Sequence, residues 1–207
     1  MRRLTLILAL TFAAAAAQAA DQVRTAAPFT SISVQGPISV TLEAGKPQSF
    51  AVRGSDKFIS GLSSEVVNGE LRVRMRDKSF STIKGDQRII VALPELRAFA
   101  AEGAGEIRLD NIRGERLDVS YRGAGSMVIS GQVKLFRMRA EGVGEVDTRR
   151  LIANTADIRF QGIGDVAVYA KDRLDVDVQG MGSLSYFGKP RTVNKTVAGL
   201  GSVSAGE

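Results

Sequence analysis

The sequence predicts an all-β fold, a β-solenoid or parallel β-helix-like coil, and three observations carry that prediction. Six G-x-G triplets run through the second half of the 207-residue chain: Gly103-Ala104-Gly105, Gly123-Ala124-Gly125, Gly142-Val143-Gly144, Gly162-Ile163-Gly164, Gly180-Met181-Gly182 and Gly199-Leu200-Gly201, at a nearly constant period. Apolar residues alternate with polar ones on both sides of each triplet, the period of a strand. No stretch between triplets has helical period. One triplet would carry little, but six at a single period mark a repeat architecture.

Residues 1–19 read as a secretory signal peptide. Met1-Arg2-Arg3 is a basic start, Leu4 to Phe12 is almost wholly apolar, and Ala17-Gln18-Ala19 has the small residues of a cleavage site. An uncleaved anchoring helix is the rival, against which the apolar run is short for a span and no second one follows. The chain has no Cys to acylate, so a lipoprotein is excluded. The mature chain is expected to begin near Ala20, in the periplasm or outside the cell. Residues 20–27 then form a short extension, and 28–207 a single domain, less regular over 28–95 and regular over 96–204. A coil of two lobes is the alternative.

In the less regular part, Ile32, Val34, Ile38, Val40 and Leu42 alternate around Gly36. Phe50 and Val52 precede Gly54, which lies one such period beyond Gly36, and resemble a further copy of the same unit. Asn68-Gly69 between Glu65–Val67 and Leu71–Met75 predicts a hairpin or bend. Lys78 to Arg88 reads as a surface loop, after which Ile89, Val91 and Leu93 form a strand.

In the regular part, alignment on the triplets gives apolar columns. Four before the first Gly stand Phe99, Val119, Met138, Ile158 and Val176, then Lys195. Two before it stand Ala101, Tyr121, Ala140, Phe160, Val178 and Val197. Two after the second Gly stand Ile107, Met127, Val146, Val166, Leu184 and Val203, and two further on Leu109, Ile129, Thr148, Val168, Tyr186 and Ala205. No unit is thick enough to bury its own apolar face, and stacking the units about 4.8 Å apart turns each column into an internal ladder. An antiparallel sandwich or barrel is the rival. Its hairpins favour Asn-Gly or Asp-Gly, whereas every triplet centre here is apolar, and that favours the coil. Bends usually reorient side chains, which assigns the centres Ala104, Ala124, Val143, Ile163, Met181 and Leu200 to the core. Were alternation to persist through the bend, they would form an exposed apolar stripe instead. The pattern fails in the last copy, at Lys195 and Ala205, as at a solvent-facing end, and an open sheet edge there predicts end-to-end homo-oligomers.

Composition excludes most catalytic chemistry. Without Cys or His there is no thiol nucleophile, no Ser–His triad and no thiolate or imidazole metal site. The formal charge is +6, and +4 once Arg2 and Arg3 are removed. Arg72, Arg74 and Arg76, with Lys78, alternate with Leu71, Val73 and Met75, giving one basic strand face. It is either an ordinary solvated face or a contact for an anionic glycan or lipid headgroup. Export and the scarcity of aromatics argue against nucleic acid. Glu145 and Asp165 fall at equivalent positions of successive copies. Two carboxylates so placed suit acid/base work or a cation, unless Arg122 and Arg159 neutralise them as parts of an ordinary sheet face.

The run Phe29-Thr30-Ser31-Ile32-Ser33-Val34-Gln35-Gly36-Pro37-Ile38-Ser39-Val40, the segment Val67-Asn68-Gly69-Glu70-Leu71-Arg72-Val73 and the serial triplets resemble the bacterial head GIN domain family, described as auto-transporter adhesins. The resemblance covers Phe29 to Ser204. It implies an exported, all-β, β-helix-like domain with no family catalytic residues to carry over. No stretch of this sequence reads as the long auto-transporter barrel, so auto-transport is not expected of it. The preferred reading is a non-enzymatic, adhesin-like envelope or secreted module that binds glycan, lipid or protein and uses no cofactor. The alternative is a polysaccharide-active enzyme of the β-helix type using surface carboxylates.

Overall fold

The computed structural model describes residues 20–76 and 87–206. The chain is all-β, with an open sheet and, among the described residues, one short helix. Its elements are β1 (Ala20–Val23), β2 (Ser31–Gln35), β3 (Ser39–Ala44), β4 (Ser49–Gly54), α1 (Asp56–Gly61), β5 (Leu62–Val67), β6 (Glu70–Met75), β7 (Arg88–Leu93), β8 (Ala98–Phe187) and β9 (Thr192–Ala205). The expected signal segment lies outside the described residues, as do residues 78–86 of the expected loop. Arg88, placed at the end of that loop, instead opens β7.

β8 is a 90-residue extended run. Drawn out straight it would reach about 300 Å, but it lies against itself. A side chain at Gly123 would strike the carbonyl of Gly103, and the same holds for Gly142 on Gly123, Gly162 on Gly142, Gly180 on Gly162 and Gly199 on Gly180. The second glycines stack likewise, Gly125 on Gly105, then Gly144, Gly164 and Gly182 in turn. The pairing of β8 with β9 runs parallel and straight through a triplet, Gly180 opposite Gly199 and Gly182 opposite Gly201. No hairpin reverses the chain there. Upstream, Gly103 rests on the Gly36 carbonyl, and β2 and β3 join β8 in parallel register, Ile32 opposite Phe99 and Val40 opposite Ile107.

The apolar columns form the core. Phe99, Val119, Met138, Ile158 and Val176 are buried, as are Ile107, Met127, Val146, Val166 and Leu184. They belong to a single cluster of buried residues reaching from Phe29 to Leu184. Thr148, the one polar member of its column between Leu109 and Val168, is buried too, and its hydroxyl donates to the Ala167 carbonyl at 2.9 Å.

The first part of the chain is built differently. β4 pairs antiparallel with β1 and β7, so Gly54 packs against Phe58 and Gln87 and is no further copy of the triplet unit. The reason is local: Ser55 caps α1, its hydroxyl accepting from the Phe58 N–H at 3.3 Å, which turns the chain back after β4. β5 and β6 form the expected antiparallel hairpin. Asn68 (φ 53°) and Gly69 (φ 74°) supply its two left-handed positions, as a two-residue turn of this type requires. The extension is no loose tail over its described length. β1 edges the sheet, and the Arg24 guanidinium donates to the carbonyls of Ile59 and Leu62 at 2.7 and 3.0 Å.

Candidate binding surfaces

Period-two alternation sends every second side chain of β8 and β9 outward. Alternation also survives the triplets, which corrects the expected placing of their centres in the core. Ala104 and Ala124 are exposed, and Val143, Ile163, Met181 and Leu200 are 54, 48, 47 and 83 % exposed. The cause is the glycine backbone. All triplet glycines except Gly105 and Gly201 have φ between 111° and 151°, a mirror-extended conformation that keeps the chain straight enough not to flip parity. The glycines thus face inward, and the six centres make an exposed apolar column.

Beside it runs a charged face. Three residues before the first glycine stand Ala100, Ser120, Arg139, Arg159 and Asp177, and the register continues through Ser33 to Arg72. Arg72 is half-buried, and its Nε donates to Glu70 Oε2 at 2.6 Å. Arg74 lies opposite Gln35 and Ser63. The Arg76 N–H donates to the Gly61 carbonyl at 2.9 Å. Burial first, and the Arg76 charge second, push the Arg24 guanidinium down from its usual value. Arg72 and Arg74 thus stand on β6 and Arg76 just beyond its end, with Leu71 and Val73 buried in alternation with them. A shallow depression of about 530 Å³ crosses this face, floored by Ala98, Ala100 and Ser120. Arg137 and Arg159 approach Asp157 at 4.0 and 3.8 Å, and Arg116 pairs with Asp118 at 2.6 Å.

Glu145 and Asp165 follow the stacked glycines Gly144 and Gly164 and so sit on adjoining strands, both exposed. Asp165 is engaged by the next copy: Ser183 donates to its Oδ1 from the backbone N–H at 3.2 Å and from Oγ at 2.5 Å. Arg122 and Arg159 do not neutralise the pair, because the triplet separates them. Arg122 pairs with Glu141 at 2.9 Å and Arg159 lies by Asp157. The cation that Glu145 does influence is Arg149, raised chiefly by the hydrogen bond and charge of Asp147 and to a lesser extent by Glu145. Among the described residues no three acidic side chains gather closely enough to hold a metal ion.

One feature escaped the sequence reading. A larger depression, about 890 Å³, opens where β8 turns away from the charged columns, with Arg108, Arg113, Lys134 and Arg150 on its rim. These four cations share no column of the repeat, so no periodic signal announced them.

Residues 28–190 match the family described as putative auto-transporter adhesin, head GIN domain. The chain is similar in structure to a putative adhesin from Bacteroides fragilis, with a TM-score of 0.72, 20 % identity, and coverage of 92 % of this chain and 98 % of that one. A putative adhesin from Parabacteroides merdae follows the chain with a TM-score of 0.51 and 14 % identity over 92 % of this chain and 97 % of the other. A third, from Parabacteroides distasonis, gives a TM-score of 0.50 and 15 % identity over 91 and 97 %. At these identities the structural likeness concerns the fold. No curated protein matches the chain. Among the described residues no helix is long and apolar enough to cross a membrane.

Proposed function

The chain belongs to the head GIN domain family, and from that premise we propose that it is an exported, adhesin-like module that works by binding and not by catalysis. In this reading residues 1–19 are a cleaved signal peptide, and 28–207 are a single β-solenoid that presents its outer faces to a glycan, lipid or protein of the cell envelope or its surroundings. Support for the coil comes from the two glycine columns, each copy resting on the carbonyls of the one before, and from the parallel register of β8 and β9. The observation that carries the binding role is the outer surface itself. Charged and apolar side chains stand in straight columns across adjoining strands, a rigid display that loses little entropy when a partner docks. A hydrolytic reading would need two acids and a base converging on one groove. Glu145 and Asp165 instead lie open on a ladder, with Asp165 bound by Ser183. Self-association through β9 belongs to the same proposal, because among the described residues this strand pairs with β8 alone.

The test is a glycan and membrane-lipid array probed with the full chain, with sugar release measured in parallel. Saturable binding to one ligand class without turnover is the expected result. Turnover of a polysaccharide, or an array with no binding at all, would overturn the proposal.

A further inference from the structure

The larger depression combines three properties that point to one kind of ligand. Part of its lining is tightly stacked backbone: Asn111 has φ 57° and Gly131 φ 139°, and Gly131 lies on the Ile112 backbone with no room for a side chain between them. Its rim carries four cations against one lining carboxylate, Asp110, whose Oδ1 already accepts from Ser130 Oγ at 2.8 Å. Arg113 gives its Nε to Asn111 Oδ1 at 3.3 Å and keeps its terminal nitrogens. Lys134 pairs with Glu115 at 2.9 Å, with side chains 68 and 78 % exposed, and an exposed pair of this kind yields to an incoming anion at little cost. Arg108 and Arg150 form no salt bridge among the described residues, although the Arg150 charge reaches Asp147 and helps to lower its pKa. Like charges held around a hollow raise the local potential and draw in an anion, and guanidinium forks match carboxylate and sulfate oxygens.

The remaining lining separates a sugar from a lipid. Gln132 and Asn154 supply amides, partners for sugar hydroxyl groups, while Asn111 and Ser130 are held within the protein by Ala44, Arg113 and Asp110. The lining's one large apolar side chain, Val133, is 2 % exposed, so an acyl chain would find no surface to cover. The volume lies within the ~300–1,000 Å³ typical of small-ligand sites. We infer that this depression is a subsite for an acidic saccharide, with Arg108 and Arg150 holding its carboxylate or sulfate groups and the amides reading its hydroxyls. The inference rests on the binding-module reading and names a ligand class for it.

Titration calorimetry of the full chain tests this with a uronate tetramer, a sulfated tetramer and the fully methyl-esterified uronate. At least one acidic tetramer is expected to bind, the ester about tenfold or more weakly, with the difference shrinking at about 0.5 M salt. The double variant R108Q/R150Q should lose about tenfold or more in affinity, while K57Q/K195Q, at exposed positions outside the lining, should bind as the native chain does. Thermal midpoints of both variants show that they fold. Equal binding of the ester, equal loss in the two variants, or no binding of either acidic tetramer would overturn the subsite. In the last case, a different ligand found on the array would leave the binding-module reading intact.

Discussion

β8 meets β2, β3 and β9 in parallel register, whereas β1, β4 and β5 are all joined to their neighbours antiparallel. The parallel region repeats one environment: the same buried column, the same glycine contact and the same outward position recur once in every period. Its tolerance for substitution is therefore set by position within the period. The antiparallel region repeats nothing. It finishes the sheet at both ends of its main path, β1 and β5, and covers core with α1, whose Phe58 and Ile59 are buried. β9 lies off that path, pairs with β8 alone among the described residues and is largely exposed, Leu200 most of all.

The sharpest contrast between the regions is in their glycines. Gly144→Ala should cost roughly 3 kcal/mol or more, because the new methyl would meet the Gly125 backbone at φ 150° and backbone yields little. Gly69→Ala in the hairpin has open space around it and should cost about 1 kcal/mol, the strain of a left-handed Ala alone. Urea denaturation measures both, and equal losses would break the contrast. Next in size are the core aromatics. Phe136→Ala in β8 and Phe58→Ala in α1 both remove a fully buried ring and should each cost about 3–5 kcal/mol. A much smaller loss at Phe58 would show that the helix is a loose cover and no part of the common core.

Smaller effects test individual positions. Tyr121 carries a buried hydroxyl with no hydrogen-bond partner, and burial raises its pKa. Tyr121→Phe should therefore leave stability unchanged or raise it by about 1 kcal/mol, and should remove a loss of stability that sets in as pH rises through the tyrosine range. Ile163→Ser should change stability by less than about 0.5 kcal/mol, as for an outward side chain. A loss of several kcal/mol would return the triplet centres to the core. The smallest effect is acidic. Asp147 and Asp175 are held below the ordinary carboxylate value of 3.8, first by hydrogen bonds from Arg149 and Arg173 respectively. Their contribution is present above that value and is lost as pH falls through the depressed one. Asp147→Asn should flatten the thermal midpoint's decline below about pH 4.

Much of the fold was legible because stacking copies itself into sequence. The columns from Phe99 to Leu184 and the glycine period are direct images of ladder contacts, and Asn68-Gly69 names its own turn. The return of the chain after Gly54 was not legible: α1 is too short to show helical period, and only Ser55 before Asp56 marks it. The outward triplet centres were misread because a mirror-extended glycine, such as Gly144 at φ 150°, carries the chain onward where its residue type suggests a bend. As for the candidate surfaces, alternation accounts for Arg72 and Arg74 standing apart from the buried Leu71 and Val73. It could not foresee that Asp165 is held by Ser183, or that Arg108 and Arg150, in different copies of the repeat, rim one hollow. Side-chain pairing leaves no periodic trace, and neither does a hollow rimmed from different columns.

The central claim is that the triplets stack as one column with their centres outward. The chain contains no Cys, so spin labels can be placed cleanly at Ala124→Cys and Leu200→Cys and their separation measured by pulsed electron spin resonance. Four strand steps of ~4.8 Å predict a single narrow distribution near about 19 Å between backbones, although the two sites lie four repeats apart in sequence. A broad distribution, or one centred well beyond about 30 Å, where strands of ~4.8 Å spacing cannot place them, would contradict it.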